Sequence, residues 1–489
     1  MSLKRTAFVV AVCLALAPAP PSFAQSEPIV ADAGIGPDYL ADCPSDLRYL
    51  NQMFGWQVNW PAQWRGLASA DTVAAEQAIA QWRTAPAALA DAQAHLSAHG
   101  SIKAPRAVVE RVVAQVDHML TELQANPPPL AGAVDAAVHE RWNTLFTQQI
   151  TPAVAHYLAF LRNDYLPASQ QAPGFGVNAT GARCFQSAVQ TFTSLSIPPE
   201  QIEAIGNRIY GETSAQLAAL YHRPVAEVPQ ILAELRAQRH DDFTRDDVVA
   251  MSQAAIARAR AAMPRMFSRP MTSDVTVQPL PAAMEASFPA GAYRPAEGDT
   301  PPTFAVNLSR PGDRRLMAEV IAFHETIPGH HISFALGYPQ GQFNSGFVEG
   351  WAIYAEYLAD EMGLYSSDLD RAGMMTKHLW AASRLIVEPG IQLHGWTRNQ
   401  AIQYMQTHTA LSDPEIALEV DRYISTPGQS LSYMLGYDVI MQARRDAEQR
   451  MGARFDLKQF HDVVLGAGSR PLAQVRDDVL RWSSASRSG

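Results

Sequence analysis

The chain has 489 residues, of which 47% are hydrophobic and 18% charged, a balance that excludes disordered, fibrous and membrane-embedded classes and allows a large buried core. A formal net charge of −10 and a pI near 5.8 give no basic footprint, so nucleic acid is not an expected partner and no cationic patch addresses an anionic membrane surface.

The first residues differ in character from the rest. Lys4 and Arg5 precede an apolar run from Ala7 to Ala17, and Ser22-Phe23-Ala24 places small residues where a signal peptidase cuts. Cleavage after Ala24 is expected, because the run is well short of the ~20 apolar residues a spanning helix needs. No later stretch is long enough either, so the mature protein is expected to be exported to the periplasm or secreted, without membrane insertion. Cys13 leaves with the leader, and it follows Val12 instead of the small residue that lipidation requires. Cys43 and Cys184 remain as an even pair in an oxidising compartment, where a disulfide and two buried thiols both stay open.

Helix-period patterns dominate the mature chain. Val108, Val109, Val112, Val113, Val116, Leu120 and Leu123 recur at spacings of three and four and mark one amphipathic helix. Similar patterns predict helices at about 138–164, 199–221, 244–263, 314–336, 346–362, 370–388, 413–424 and 429–450, with cap-type residues such as Ser196, Pro198 and Ser412 at their starts. The exception is 269–313, rich in Pro and Gly, with short β-compatible runs at Val275–Val277 and Phe304–Leu308. No repeat and no alternation of strands with helices is visible. The expected architecture is all-α: a leader over 1–24, a helical lobe over 25–268, a strand-bearing connector over 269–313 and a second helical lobe over 314–489.

Seven of the fourteen histidines lie beyond residue 320, three of them in His324-Glu325-Thr326-Ile327-Pro328-Gly329-His330-His331. Neutral imidazoles are good zinc ligands, and the HExxH helix sets two of them one turn apart with the intervening Glu facing the water to be activated. Here the second histidine comes six residues after the first, about 240° around a regular helix. Pro328 and Gly329 offer the remedy, since a bulge at this pair would return His330 to the face of His324. His331 is the alternate ligand: seven residues restore the face but span about 10.5 Å, too far for one ion on a straight helix. Glu349 follows His330 with eighteen residues between, and it opens Glu349-Gly350-Trp351-Ala352 at the start of another helix.

This HExxH-x18-E-like spacing resembles that of gluzincin metallopeptidases such as aminopeptidase N. The longer pattern, HExxPGHH followed by an EGWA-type segment, resembles the bacterial family called domain of unknown function 885. The resemblance runs from Ile197-Pro198-Pro199-Glu200 through Phe304-Ala305-Val306-Asn307, Arg422-Tyr423 and Pro427-Gly428-Gln429-Ser430-Leu431-Ser432-Tyr433 to Phe460-His461. It implies a zincin-like peptidase with two helical lobes about a deep central cleft, similar to angiotensin-converting enzyme and neurolysin, acting on short peptides. Zinc would be held by His324, His330 and Glu349, with Glu325 as the general base, and Tyr433 resembles the tyrosine that stabilises the oxyanion in angiotensin-converting enzyme. Tyr423 and Arg422 are the expected substrate contacts. Two departures stand out: Glu388-Pro389-Gly390-Ile391-Gln392 replaces the Asp-Thr-Gly-x-His common in the family, and Ile353 occupies the position from which an acid often orients a histidine, leaving Glu356 or Glu319 for that task. A non-peptide amide or ester substrate, or a non-catalytic peptide-binding protein, are the alternative readings.

Overall fold

The structure, a computed structural model, describes residues 40–485 except 41–42, 68–70, 99, 133, 177–178, 239, 272, 281–284, 286–289, 297–299 and 338–343. The expected leader, with its cleavage after Ala24, lies outside the described residues. The fold is all-α with one small sheet. The amphipathic pattern near residue 108 forms α1 (Arg106–Ala125), which buries every residue of the predicted stripe except the half-buried Val113 and adds Met119. Ala179–Thr193 forms α2, Pro199–Leu220 α3 and Arg245–Met266 α4; a Thr244–Asp247 capping box opens α4. The predicted helix at 138–164 is a helical run from Ala136 to Ala168 that passes through two π turns, Phe146–Ile150 and Leu161–Tyr165.

The 269–313 stretch supplies the sheet, with β1 (Thr276–Pro279), β2 (Gly291–Arg294) and β3 (Thr303–Val306) in the order β1-β3-β2. β3 is central and buried at every position, parallel to β1 and antiparallel to β2. The patterning above missed β2, whose four residues include Gly291 and Arg294 and show no apolar alternation.

The expected continuous helix over 314–336 is instead two helices, α5 (Ala318–Glu325) and α6 (His330–Gly337), separated by a turn with a cis Ile327–Pro328 peptide. The helix ends here and restarts in place of bulging, because Thr326 leaves helical geometry (φ −120°, ψ −106°) and Pro328 has no amide to continue the ladder. There follow α7 (Ser345–Glu361), α8 (Asp368–Gln392), α9 (Asp413–Ser425), α10 (Ser432–Met451), α11 (Leu457–Leu465) and α12 (Leu472–Ala485). One hydrophobic core joins residues between Leu40 and Ile209 to residues between Ile353 and Leu435, and a second joins Val248–Leu308 to Ala322–Val479. Both cores thus draw side chains from either side of the sheet segment, chiefly where α3 lies along α8 and α4 against α5. Cys43 and Cys184 form a disulfide with Cα atoms 5.0 Å apart, closing the alternative left open by the sequence. Among the described residues no helix is long and apolar enough to cross a membrane.

Candidate metal and catalytic site

α5 delivers His324 and Glu325 at its last turn, and the Thr326–Gly329 turn brings His330 back beside them. Gly329 makes the return possible: a Cβ there would stand 1.9 Å from the His324 carbonyl oxygen, so no other residue fits. Its N–H donates to the Phe323 carbonyl at 3.1 Å, and the Trp351 indole on α7 donates to the Pro328 carbonyl at 3.0 Å, fixing the turn from outside. The imidazoles of His324 and His330 end with centroids 4.7 Å apart.

α7 adds Glu349. This helix meets α10 backbone to backbone, since a Cβ on Gly350 would lie 2.4 Å from Gly436, and one on Gly436 would lie 1.9 Å from the Gly346 carbonyl. That contact sets Glu349 on α7 next to Tyr433 on α10. Glu349 Oε2 lies 3.4 Å from His324 Nε2 and 3.5 Å from His330 Nε2, and one ligand atom each from His324, Glu325 and His330 fall within 4.8 Å of one another. All four side chains are buried. Glu349 Oε2 is buried without a hydrogen-bond partner, an orphan that a cation between the two histidines would satisfy. Two imidazoles and a carboxylate are a donor set suited to zinc.

The residues behind the cluster fix its protonation. Glu356 Oε1 lies 2.6 Å from His324 Nδ1, so Nδ1–H donates to the carboxylate and the Nε2 lone pair faces the cluster. Lys377 pairs with the same carboxylate, and His378 Nε2 is 3.1 Å from its other oxygen. Burial would raise the Glu356 carboxyl, yet Lys377 and His324 hold it well below the usual range. Of the two acids expected to orient a histidine, Glu356 takes the position; Glu319 is bound by Arg258 and the Ser366 amide instead. His331 is turned away from the cluster: Nδ1 is 3.1 Å from the Tyr293 hydroxyl and Nε2 is 3.0 Å from the Ser273 carbonyl, so both ring nitrogens are engaged. His331, the alternate ligand of the sequence, is not among the residues brought together at the cluster.

Glu325 Oε2 accepts the Tyr293 main-chain N–H at 2.8 Å, a contact from β2 that the sequence did not disclose. Tyr433 stacks on His324 at 6.1 Å, and its hydroxyl accepts from Arg422 Nη2 at 3.3 Å. Burial, reinforced by Glu349, raises the phenol well above its usual pKa. Arg422 and Tyr433 line a cavity of about 340 Å³ with His324, Glu325, His330 and Glu349. Tyr423, expected as a substrate contact, does not line it: the side chain is fully buried and its hydroxyl accepts from Trp380 Nε1 at 3.1 Å and Arg384 Nε at 3.2 Å.

A family model described as a bacterial protein of unknown function (DUF885) matches residues 32–479. The chain belongs to the DUF885 family. No curated protein matches this DUF885 member. Among solved structures it is similar to a protein from Colwellia psychrerythraea described as a lipoprotein, with a TM-score of 0.78 and 22% identity over 89% of this chain and 80% of that one. It is also similar to one from Shewanella oneidensis described as a lipoprotein of unknown function, with a TM-score of 0.63 and 19% identity over 86% and 81% of the two chains. At these identities the likeness concerns the fold of the DUF885 chain alone.

Proposed function

We propose that the protein is a zinc-dependent peptidase of short peptides. The observation that carries this reading is the meeting of His324, His330 and Glu349 around an orphaned carboxylate oxygen with Glu325 alongside. Bound there, zinc would polarise the scissile carbonyl and lower the pKa of a water from about 15.7 toward 7. Glu325 takes the proton of that water and returns it to the leaving amine; the Tyr293 amide fixes Oε2 and leaves Oε1 for the transfer. Glu356 keeps His324 in the tautomer that presents Nε2. Tyr433 donates to the developing oxyanion. Because Arg422 already donates to the phenol oxygen, the phenolic hydrogen is available to the substrate, and burial keeps it in place at neutral pH.

The two-lobed, clefted form shared with angiotensin-converting enzyme and neurolysin belongs to this reading, as does export. Export is supported by the leader-type N-terminus, the Cys43–Cys184 disulfide and the description of both structural neighbours as lipoproteins. The test is to incubate purified protein, with and without a chelator, with a mixed peptide library and to identify products by mass spectrometry. Chelator-sensitive cleavage supports the reading, and an intact library in the presence of added zinc overturns it.

A further inference from the structure

Beyond the ligand cluster, the cavity wall carries two guanidiniums that share one counter-ion. Arg384 Nη2 donates to Glu419 Oε2 at 3.0 Å, and Arg422 Nη1 donates to Glu419 Oε1 at 3.2 Å. Arg384 is in contact with two rings, its guanidinium carbon 4.2 Å from the Trp380 centroid and 4.6 Å from that of Tyr433. Both arginines line the cavity. Glu388 also acts on the pair, but its oxygens are turned to the Gly428 N–H and the Ser430 hydroxyl, and burial pushes its carboxyl up to about 7. Two guanidiniums at the cavity wall thus share the single carboxylate of Glu419, with the Glu388 oxygens bonded elsewhere, an arrangement that can accept a further anion.

We propose that Arg384 and Arg422 form a carboxylate-binding subsite, through which the enzyme holds the free C-terminal carboxylate of a short peptide and removes one or two residues from that end. A guanidinium presents parallel N–H donors that match a carboxylate, and the aromatic contacts of Arg384 reduce the rotamer freedom that binding would otherwise have to freeze. The reach agrees. The Tyr433 ring lies 6.1 Å from the His324 ring and 4.6 Å from the Arg384 guanidinium carbon, so His324 and Arg384 are close neighbours of one side chain on the cavity wall. An extended peptide advances ~3.5 Å per residue, so a carboxylate one or two residues beyond a bond cleaved at the cluster falls at the arginines. A cavity of about 340 Å³ also falls within the ~300–1,000 Å³ that small-molecule sites occupy, which suits a short peptide. The inference rests on the peptidase reading for its scissile bond, though not for its anion site.

Binding and turnover separate the two. Calorimetric titration of the Glu325→Gln protein with tetraalanine and with tetraalanine amide should show the free acid bound at least about 10-fold tighter, with the difference lost in Arg384→Gln/Glu325→Gln. Equal affinity for acid and amide in the Glu325→Gln protein overturns the subsite without reliance on the arginine variant folding. A third probe, Ala-Ala-Ala-Glu amide, carries its carboxylate only on a side chain; if it binds as tightly as tetraalanine, C-terminal recognition is overturned. Turnover by the unaltered enzyme completes the design. Equal kcat/KM for acid and amide removes the subsite and leaves a peptidase, whereas acid-selective binding with no cleavage of either removes the peptidase and leaves the subsite.

Discussion

His324 and Glu356 are joined by a 2.6 Å contact at the face of the imidazole that points away from His330 and Glu349. The carboxylate sets which nitrogen carries the proton, so its loss should be felt at the metal without any ligand being touched. In Glu356→Gln, zinc affinity should fall about 10- to 100-fold, measured by competition with a chromogenic chelator. Because that change strands the Lys377 ammonium, Glu356→Gln/Lys377→Met is the companion variant; recovery of thermal stability in the double variant without recovery of affinity separates tautomer control from charge balance.

About one zinc per chain is expected from elemental analysis, with activity lost on chelation and restored by zinc. Glu325→Gln should keep the metal and lose nearly all turnover, because an amide cannot take the proton; Glu349→Ala should lose the metal itself. If Glu325→Gln were as active as the parent, the base would have to be sought elsewhere.

His330→Ala should abolish zinc binding, whereas His331→Ala should leave it within a few fold. Both nitrogens of His331 are spent on Tyr293 and Ser273, so its loss disturbs the β2 contact and not the ligand set. Zinc titration of the two variants gives the order directly, and the reverse order would refute the assignment.

The His324–His330 pairing shows how far the sequence could be read. The residue types and the eighteen-residue interval to Glu349 depend on chemistry that leaves a mark in the sequence, and the helix boundaries of α3, α4, α7 and α9 lie within about three residues of the periodicity. What escaped was set by tertiary contact. The turn at Pro328 is held by the Trp351 indole on another helix, a contact that is not local in the sequence. β2 has no pattern because its role is carried by a main-chain N–H. One signal was present and unread: Lys377, Arg384 and Glu388, with Trp380 between, recur at spacings of three and four along α8, a stripe of charged residues on a helix that is mostly buried, these three included.

In Tyr433→Phe the ring and its stacking on His324 survive while the donor is lost. kcat should fall about 100-fold with little change in zinc content or melting temperature. Tyr423→Phe is the comparison: that hydroxyl bonds Trp380 and Arg384 and does not line the cavity, so kcat should fall far less than in Tyr433→Phe, with any loss felt through Arg384 in KM. An unimpaired Tyr433→Phe enzyme would transfer the donor role to Arg422.

Glu388 gives the stability a pH dependence of known sign. Burial raises its carboxyl from 4.5 to about 7, so between those values the folded protein binds the proton that the unfolded chain has released. The stabilisation is complete below about 4.5 and is lost as pH rises through about 7, on the order of 3 kcal/mol in all. Melting temperatures recorded at several values from pH 5 to 8 should fall more steeply for the parent than for Glu388→Gln, in which no proton is released. Parallel profiles would show that Glu388 titrates normally.

The crossing of α7 over α10 has a mechanical meaning. Gly346, Gly350 and Gly436 let two main chains touch, and main-chain contact is the stiffest ruler available to a folded chain, with no rotamer to adjust and no side chain to compress. The gap between Glu349 and Tyr433 is therefore a gauge block machined into the scaffold. Cavity walls built from long side chains such as Arg384 and Met317 can drift through substitution and reshape the cavity, while this dimension stays constant until a glycine is lost.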